Sequence, residues 1–413
     1  MRFNVAMSTT LIPADARPAR LAFFICTASL TALAVAMGIG RFAFTPLFPL
    51  MVRDGLLGSG SGALLAAANY LGYLVGALLA ARVALKPPTL LAAGLASTVV
   101  ITAAVGWTAA LPAWTVLRFL AGVTSAWTLV ATSAWGLGWL AALGRPDLAG
   151  AAFSGVGIGI ACAGLYCLLA GGAASSSTLW IGLGGIAALA SVLPVVAARR
   201  WPAPPAPPPT GPAAAPAAPR RAASGATAGL VVCYTLYGFG YILPATYLPA
   251  LARQLVDDPH VFGLAWPVFG MAGAVSTVLV SWRLGRANRL AVWAGCHLLM
   301  AAGVLLPAVW TSLAAVTIAA LLVGGTFMVI TMVAMQEARA RAESQATRVL
   351  GRMTAGFALG QLVGPLVNAG IAHLAATEGA ALHIALALSA AGLVASGAWL
   401  WIMYRNDIDK EKA

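Results

Sequence analysis

The 413-residue chain is 61% hydrophobic and only 8% charged, with a mean hydropathy of +0.90. A soluble chain needs roughly a quarter charged residues to cover its surface, so lipid must be the main solvent here. The net charge of +13 does not point to nucleic acid, because the bases punctuate apolar runs and form no patch with interleaved aromatics.

The first apolar run starts near Leu21 and meets its next loop charge only at Arg53. It is too long for a signal-peptide core and reads as a spanning helix. Inside it lies GIGRFAFTPLFPL, Gly38 to Leu50, with a permanent cation, Arg41, among apolar neighbours. Further runs near bilayer-crossing length fall at 61–82, 89–110, 113–141, 149–172 and 178–198. A break follows, Arg199 to Ala226, in which nine of the 24 prolines lie between Pro202 and Pro219. Proline at that density excludes helix and favours an extended tether. A second set of runs covers 229–252, 261–282, 290–309, 311–336, 349–374 and 380–404. The expected organisation is a tail (1–20), a six-helix bundle (21–198), a linker (199–228), a second six-helix bundle (229–404) and a tail (405–413).

Lys and Arg placement orients the chain. With the N-terminus cytoplasmic, the inner segments hold 20 of these residues and the outer loops only Arg53 and Arg253. That asymmetry places both termini and the linker inside. Arginine outnumbers lysine 21 to 3, which suits a bacterial, high-GC source. The five cysteines (Cys26, Cys162, Cys167, Cys233, Cys296) sit in apolar runs without metal-ligand spacing and read as small core residues.

The two halves repeat. At an offset of 200, Gly38, Gly40, Pro49 and Arg53 fall on Gly238, Gly240, Pro249 and Arg253. At 201, Gly62, Gly72, Arg82, Gly155 and Gly159 fall on Gly263, Gly273, Arg283, Gly356 and Gly360. One offset held across several helices marks an internal repeat. Two parallel six-helix halves describe an all-α membrane protein with twelve transmembrane helices in a 6+6 pseudo-two-fold arrangement, the major facilitator fold.

GIGRFAFTPLFPLM in the first helix and RFLAGVTSAW (Arg118 to Trp127) in the fourth resemble the YbfB/YjiJ-type group of major facilitator transporters. GGTFMVITMVAMQEAR (Gly324 to Arg339) and GRMTAGFALGQLVGPL (Gly351 to Leu366) carry the same resemblance in the tenth and eleventh helices. The group implies a transporter of the bacterial inner membrane without naming a cargo. The chain departs from the wider superfamily after its second helix, where GALLAARVALK has Ala80 in place of the usual aspartate. The equivalent SWRLGR also lacks an acid. The expected gating relay is therefore Arg82 and Arg283 with Glu337, the latter near Arg348 and Arg352.

All eleven acids lie in tails, loops or helix ends, whereas Arg41 and Arg118 lie within spans. A central arginine costs about 2.5–3.5 kcal/mol even on insertion scales, so it needs a partner or a purpose. Arg118 is near enough to the outer interface to snorkel. Arg41 is roughly a dozen residues from Arg53, about 18 Å at helical rise, and is not. Two readings stand for each: an anion-binding fork suited to carboxylate or phosphate, or pairing with carbonyls freed near Pro46 and Pro49. Helices one, four, seven and ten line the cavity in the superfamily. On that basis Arg41 and Arg118 reach the same space, and Tyr241, Gln361, Thr45, Trp127, Tyr237 and Asn368 are the further expected substrate-binding residues. The polar ones among these also suit ordinary interhelical hydrogen bonding. His297 and His383 lie on helices peripheral in this fold and read as structural.

The sequence points to secondary transport of a small organic anion by a monomer that needs no cofactor or metal, with protons as a possible coupling ion and the lipid bilayer as surroundings. Export of neutral or acidic drug-like compounds stays open, as does a transport-inactive receptor or scaffold. No nucleophile–base constellation or P-loop is present, which argues against an enzyme or an ATP-driven pump.

Overall fold

The computed structural model describes residues 16–58, 61–82, 85–204, 222–255, 259–310, 312–342, 345–372 and 378–412. Among them, twelve helices are long and apolar enough to cross a bilayer. In the first half these are α1 (Pro18–Arg53), α2 (Ser61–Arg82), α3 (Pro87–Gly106), α4 (Leu111–Ala142), α5 (Pro146–Ala170) and α6 (Ser176–Arg200). In the second they are α7 (Thr227–Ala245), α8 (Leu264–Leu284), α9 (Arg289–Val309), α10 (Leu313–Ala342), α11 (Ala346–Ile371) and α12 (Ala380–Asp409). Large apolar side chains such as Leu169, Leu189 and Val309 are exposed, as lipid-facing positions require. Trp107, Trp282 and Trp310 are exposed at or near helix ends, where indoles suit the headgroup region. This is a multi-pass membrane protein.

Helices in lipid gain nothing from hydrophobic drive against each other, so close backbone approach must hold them together. The repeated glycines provide it at matching places. A Cβ on Gly38 of α1 would strike the backbone of Gly159 on α5, and one on Gly155 would strike Leu30 of α1. In the second half, Gly238 of α7 abuts the backbone of Phe357 on α11, and Gly360 abuts that of Thr235. The sequence repeat is thus the same helix crossing built twice. Two more crossings join the halves: α5 to α8 through Gly157 and Gly270, and α2 to α11 through Gly351 against Ala77 and Ala81.

The end of the bundle that carries the linker is tied shut by side chains from both halves. Gly138 of α4 lies under Arg339 of α10: a Cβ there would be 2.8 Å from the guanidinium and 3.4 Å from Pro204. Gln336 of α10 donates to the Pro146 carbonyl at 3.5 Å. The Trp201 carbonyl accepts both the Trp135 indole N–H (2.8 Å) and the Trp139 indole N–H (3.1 Å). The first linker residues are therefore fastened structure, although the sequence reads the whole break as a plain tether. Most of the proline run lies outside the described residues. Replacing 205–219 with Gly/Ser of equal length should leave the melting temperature unchanged. The same exchange at 201–204 should lower it, since ordering the carbonyl that satisfies two buried indoles becomes harder. Paired melting curves of the two chimeras check this.

At the opposite end, Asp54 accepts the Ser176 backbone N–H at 2.6 Å and pairs with Arg53 at 2.7 Å. The Ser176 bond, more than the Arg53 cation, holds its carboxyl below the usual carboxylate range. α12 also outruns the sequence expectation. Its helix spans Glu378–Lys412, so the segment expected as a tail from 405 is its last turns. No Gly or Pro stops it, and Arg341 grips Asp407 at 2.7 Å.

Candidate substrate site

Arg41 sits in a π-helical stretch, Ala34–Phe42, between the α-helical pieces Ala16–Leu33 and Phe44–Arg53 of α1. In π register the Arg41 carbonyl would take an N–H from five residues on, where Pro46 has none. Arg118 of α4 takes that place: its Nη2 donates to the Arg41 carbonyl at 3.2 Å. Its guanidinium lies 4.4 Å from the centre of the Phe44 ring, and the Arg118 carbonyl in turn accepts from Asn69 of α2 at 3.0 Å. Ser125 of α4 adds a second tie, to the Ala36 carbonyl at 2.9 Å. The carbonyl-pairing reading thus belongs to Arg118. It is buried rather than snorkelling, with 5% of its surface exposed.

With its backbone held, the Arg41 side chain reaches the seam between the halves and is 2% exposed. Its Cζ stands 3.7 Å over the Tyr73 ring centre. Nη2 donates to Oε1 of Gln361, on α11 of the other half, at 2.5 Å. Nε and Nη1 are buried with no hydrogen-bond partner among the described residues. Neither Arg41 nor Arg118 is in an ion pair with a described carboxylate.

Aromatic rings form a closed circuit of contacts that passes through this cation. From Phe42 it passes to Trp266 (6.3 Å between centres), Phe269 (5.4 Å), Phe327 (5.1 Å) and Tyr241 (5.5 Å). It returns by Phe357 (6.1 Å) to Tyr73 (6.4 Å), and Arg41 closes it 5.4 Å from Phe42. Six helices from both halves contribute. Tyr241, the repeat mate of Arg41, is therefore in the circuit, and Gln361 is bonded to Arg41 itself.

The other expected residues divide. Thr45 is one turn past Arg41 and exposed; Asn368 is half-buried two turns past Gln361 on the same face. Tyr237 donates its hydroxyl to the Phe327 carbonyl at 2.6 Å, an interhelical tie and not an open donor. Trp127 is half-buried, its indole N–H without a partner among the described residues. It lies within about 20° of Gly138 around α4, on the face turned to α10. His297 is buried, accepts the Trp293 indole N–H at 2.8 Å and stacks on Tyr237 at 6.1 Å, which fits its structural reading.

The expected relay takes a different form. Glu337 pairs with Arg341 (2.6 Å) and Arg289 (3.4 Å), not with Arg348 or Arg352. With Asp407 this makes a network inside the second half, tying α9, α10 and α12. Arg82, Arg283 and Arg352 are exposed and belong to no ion pair between described residues. Arg341 is four residues from Glu337 on the same helix, a spacing that favours the pair, and Arg289 reaches the same carboxylate from α9.

Sequence reasoning did not single out Tyr73, Asn69, Phe357, Phe327 or Trp266. The one available signal is that Asn69, Tyr70 and Tyr73 put polar atoms at helical spacing inside an apolar span.

The family model described as "Uncharacterised MFS-type transporter YbfB" matches residues 33–400. The chain belongs to this family. It takes in the Arg41 segment, both glycine crossings and the aromatic circuit. No curated protein gives a significant match. Among solved structures, the fold is similar to the human organic anion transporter MFSD10 (TETRAN), with a TM-score of 0.64 and 15% identity over 94% of this chain and 100% of that one. It is equally similar to the Major Facilitator Superfamily transporter FucP in the outward conformation, with a TM-score of 0.64 and 15% identity over 92% and 99%. At that identity the likeness shows the fold. This YbfB-type chain is a major facilitator transporter, a membrane carrier built from two six-helix halves.

Proposed function

We propose that the protein is a secondary transporter that moves a small organic anion across a bacterial inner membrane by alternating access, with its termini and linker cytoplasmic. One observation carries the reading: a buried guanidinium between the halves, with Nε and Nη1 unpartnered and no described carboxylate beside it. A buried cation left in that state is stabilised by an anion more than by any neutral ligand.

The same bonds suggest how binding links to movement. Arg41 and Gln361 join the halves through Nη2. Each bidentate edge of the guanidinium uses one of the two Nη2 hydrogens, so a carboxylate that engages the edge whose hydrogen Gln361 holds must displace that bond. Occupancy of that edge then loosens a tie between the halves where they must rock. The ties at the linker end, through Arg339, Gln336 and Pro204, support an outward-facing resting state. The likeness to FucP in the outward conformation is of the fold and leaves this reading to those ties.

A thermal-shift screen of the purified chain tests the function. Carboxylates, sulfonates and phosphonates should include a stabilising ligand, worth about 2.7 kcal/mol at a hundred times its Kd. If only cationic or neutral compounds stabilise, the anion reading is wrong. Orientation has its own test. A cysteine placed at Gly172, exposed at the opposite end, should react with an impermeant maleimide on intact cells. One at Arg286, exposed at the linker end, should react only after lysis. The reverse pattern overturns the topology.

A further inference from the structure

We infer that the anion carries one negative charge on a flat aromatic ring, an inference that rests on the anion reading above. The charge count comes first. Of the two buried arginines, Arg118 spends Nη2 on the Arg41 carbonyl, lies against the Phe44 ring and keeps one unpartnered donor, Nε, among the described residues. Among the described residues, only Arg41 combines a buried charge with more than one open donor. One open cation balances one carboxylate. A second negative charge on the cargo meets, among the described residues, no second buried cation with more than one unpartnered donor, and keeps much of its desolvation penalty. A zwitterion is disfavoured for the mirror reason: its ammonium finds no described carboxylate in the circuit.

Shape gives the second argument. The Arg41 Cζ lies 3.7 Å from the centre of the Tyr73 ring, so that ring covers one side of the guanidinium. Around the guanidinium the circuit offers mainly π faces and ring edges, and the hydroxyls it holds are the phenols of Tyr73 and Tyr241. Tyr237 is spent on the Phe327 carbonyl and Gln361 on Arg41. A sugar acid or hydroxy acid needs a partner for each hydroxyl it desolvates, and those partners are few. A ring instead packs offset or edge-on against Tyr241, Phe357 and Trp266 and gains from their quadrupoles. Trp266 adds a specific feature: its indole N–H is buried and unpartnered among the described residues, a donor for one oxygen of the ligand.

The test uses the full-length protein in detergent, with binding measured by calorimetry for seven probes. These are benzoate, 2-naphthoate, cyclohexanecarboxylate, acetate, phthalate, inorganic phosphate and benzamide. Benzoate and 2-naphthoate should bind about tenfold or more tightly than acetate, cyclohexanecarboxylate and phthalate, a ratio set by one good aromatic contact. Trp266→Leu should bring 2-naphthoate to within about threefold of acetate and leave acetate unchanged. Tightest binding of phthalate or phosphate overturns the single charge. Equal binding of cyclohexanecarboxylate and benzoate, or no effect of Trp266→Leu, overturns the aromatic part, and in all these cases the anion reading survives. Binding of benzamide as tight as benzoate, or no anion bound at all, brings down the anion reading and this inference with it. If Trp266→Leu fails to fold, Phe357→Leu serves the same comparison.

Discussion

Arg41→Ala should abolish the stabilisation given by the anion while leaving the unliganded protein close to wild-type stability. Two charge-assisted hydrogen bonds at about 1.5–3 kcal/mol each are lost from the complex, so affinity should fall by at least about 100-fold. In the free protein the changes oppose each other. Removing an unpaired buried charge relieves about 2.5–3.5 kcal/mol. Against this, Gln361 loses the donor it accepts from, worth about 1–3 kcal/mol, and Tyr73 loses a cation at 3.7 Å, worth about 0.5–2 kcal/mol. The sum is near zero. Arg41→Lys keeps the charge and loses the fork, so binding should weaken by about tenfold and persist. Three melting curves per variant decide it, one without anion and one at each of two anion concentrations. A lowered unliganded midpoint with the anion shift retained would make Arg41 a structural residue and remove the basis of the transport proposal.

Arg118 should behave in the opposite sense, although the sequence presents the two arginines as a pair. Both are lone cations in apolar runs, and hydropathy does not separate them. What separates them is a missing N–H. Pro46 leaves the Arg41 carbonyl without its π-register donor, and Arg118 supplies one. That substitution depends on α4 facing α1 at this depth, which no residue pattern on α4 announces.

The spans were legible because a bilayer demands about twenty apolar residues in a row, and nothing else in the chain supplies them. The crossings were legible as matched glycines, since close backbone contact tolerates few other residues. Helix rotation was not. A helix apolar all round carries no moment to say which face meets its neighbour, so Tyr73 on α2 and Phe357 on α11 looked like ordinary span residues. Phe357 joins Tyr73 only by packing across about 300 residues of sequence separation. The relay was misread for a related reason: Glu337 had several cations within reach in sequence, and only the fold shows that Arg341 and Arg289 are the near ones.

Gly72→Ala should damage both stability and binding, the combination that Arg41→Ala avoids. A Cβ at Gly72 would land on the carbonyl of Phe119, and one at Gly122 would land on that of Asn69. α2 and α4 are thus in backbone contact on both sides of one crossing. The added methyl meets backbone, which has no rotamer to yield, so the helices must separate. Overpacking of this kind costs about 1–3 kcal/mol, and the backbone clash places Gly72→Ala at the upper end. The displacement acts directly on the site. Asn69 and Tyr73 flank Gly72 on α2, and Arg118 precedes Phe119 on α4. Parting these helices lengthens the bond from Asn69 to the Arg118 carbonyl and draws Tyr73 away from the Arg41 guanidinium. The unliganded midpoint should drop by several degrees, and anion affinity should fall by about tenfold without vanishing, since Arg41 is still present. Gly185→Ala is the control. It lies on α6 with nothing within 4 Å of the new Cβ, and alanine there should be neutral or stabilising by up to about 1 kcal/mol. If Gly72→Ala melts with wild type while Gly185→Ala does the same, the α2–α4 crossing is looser than described. The positioning of Tyr73 against Arg41 would then lose its support.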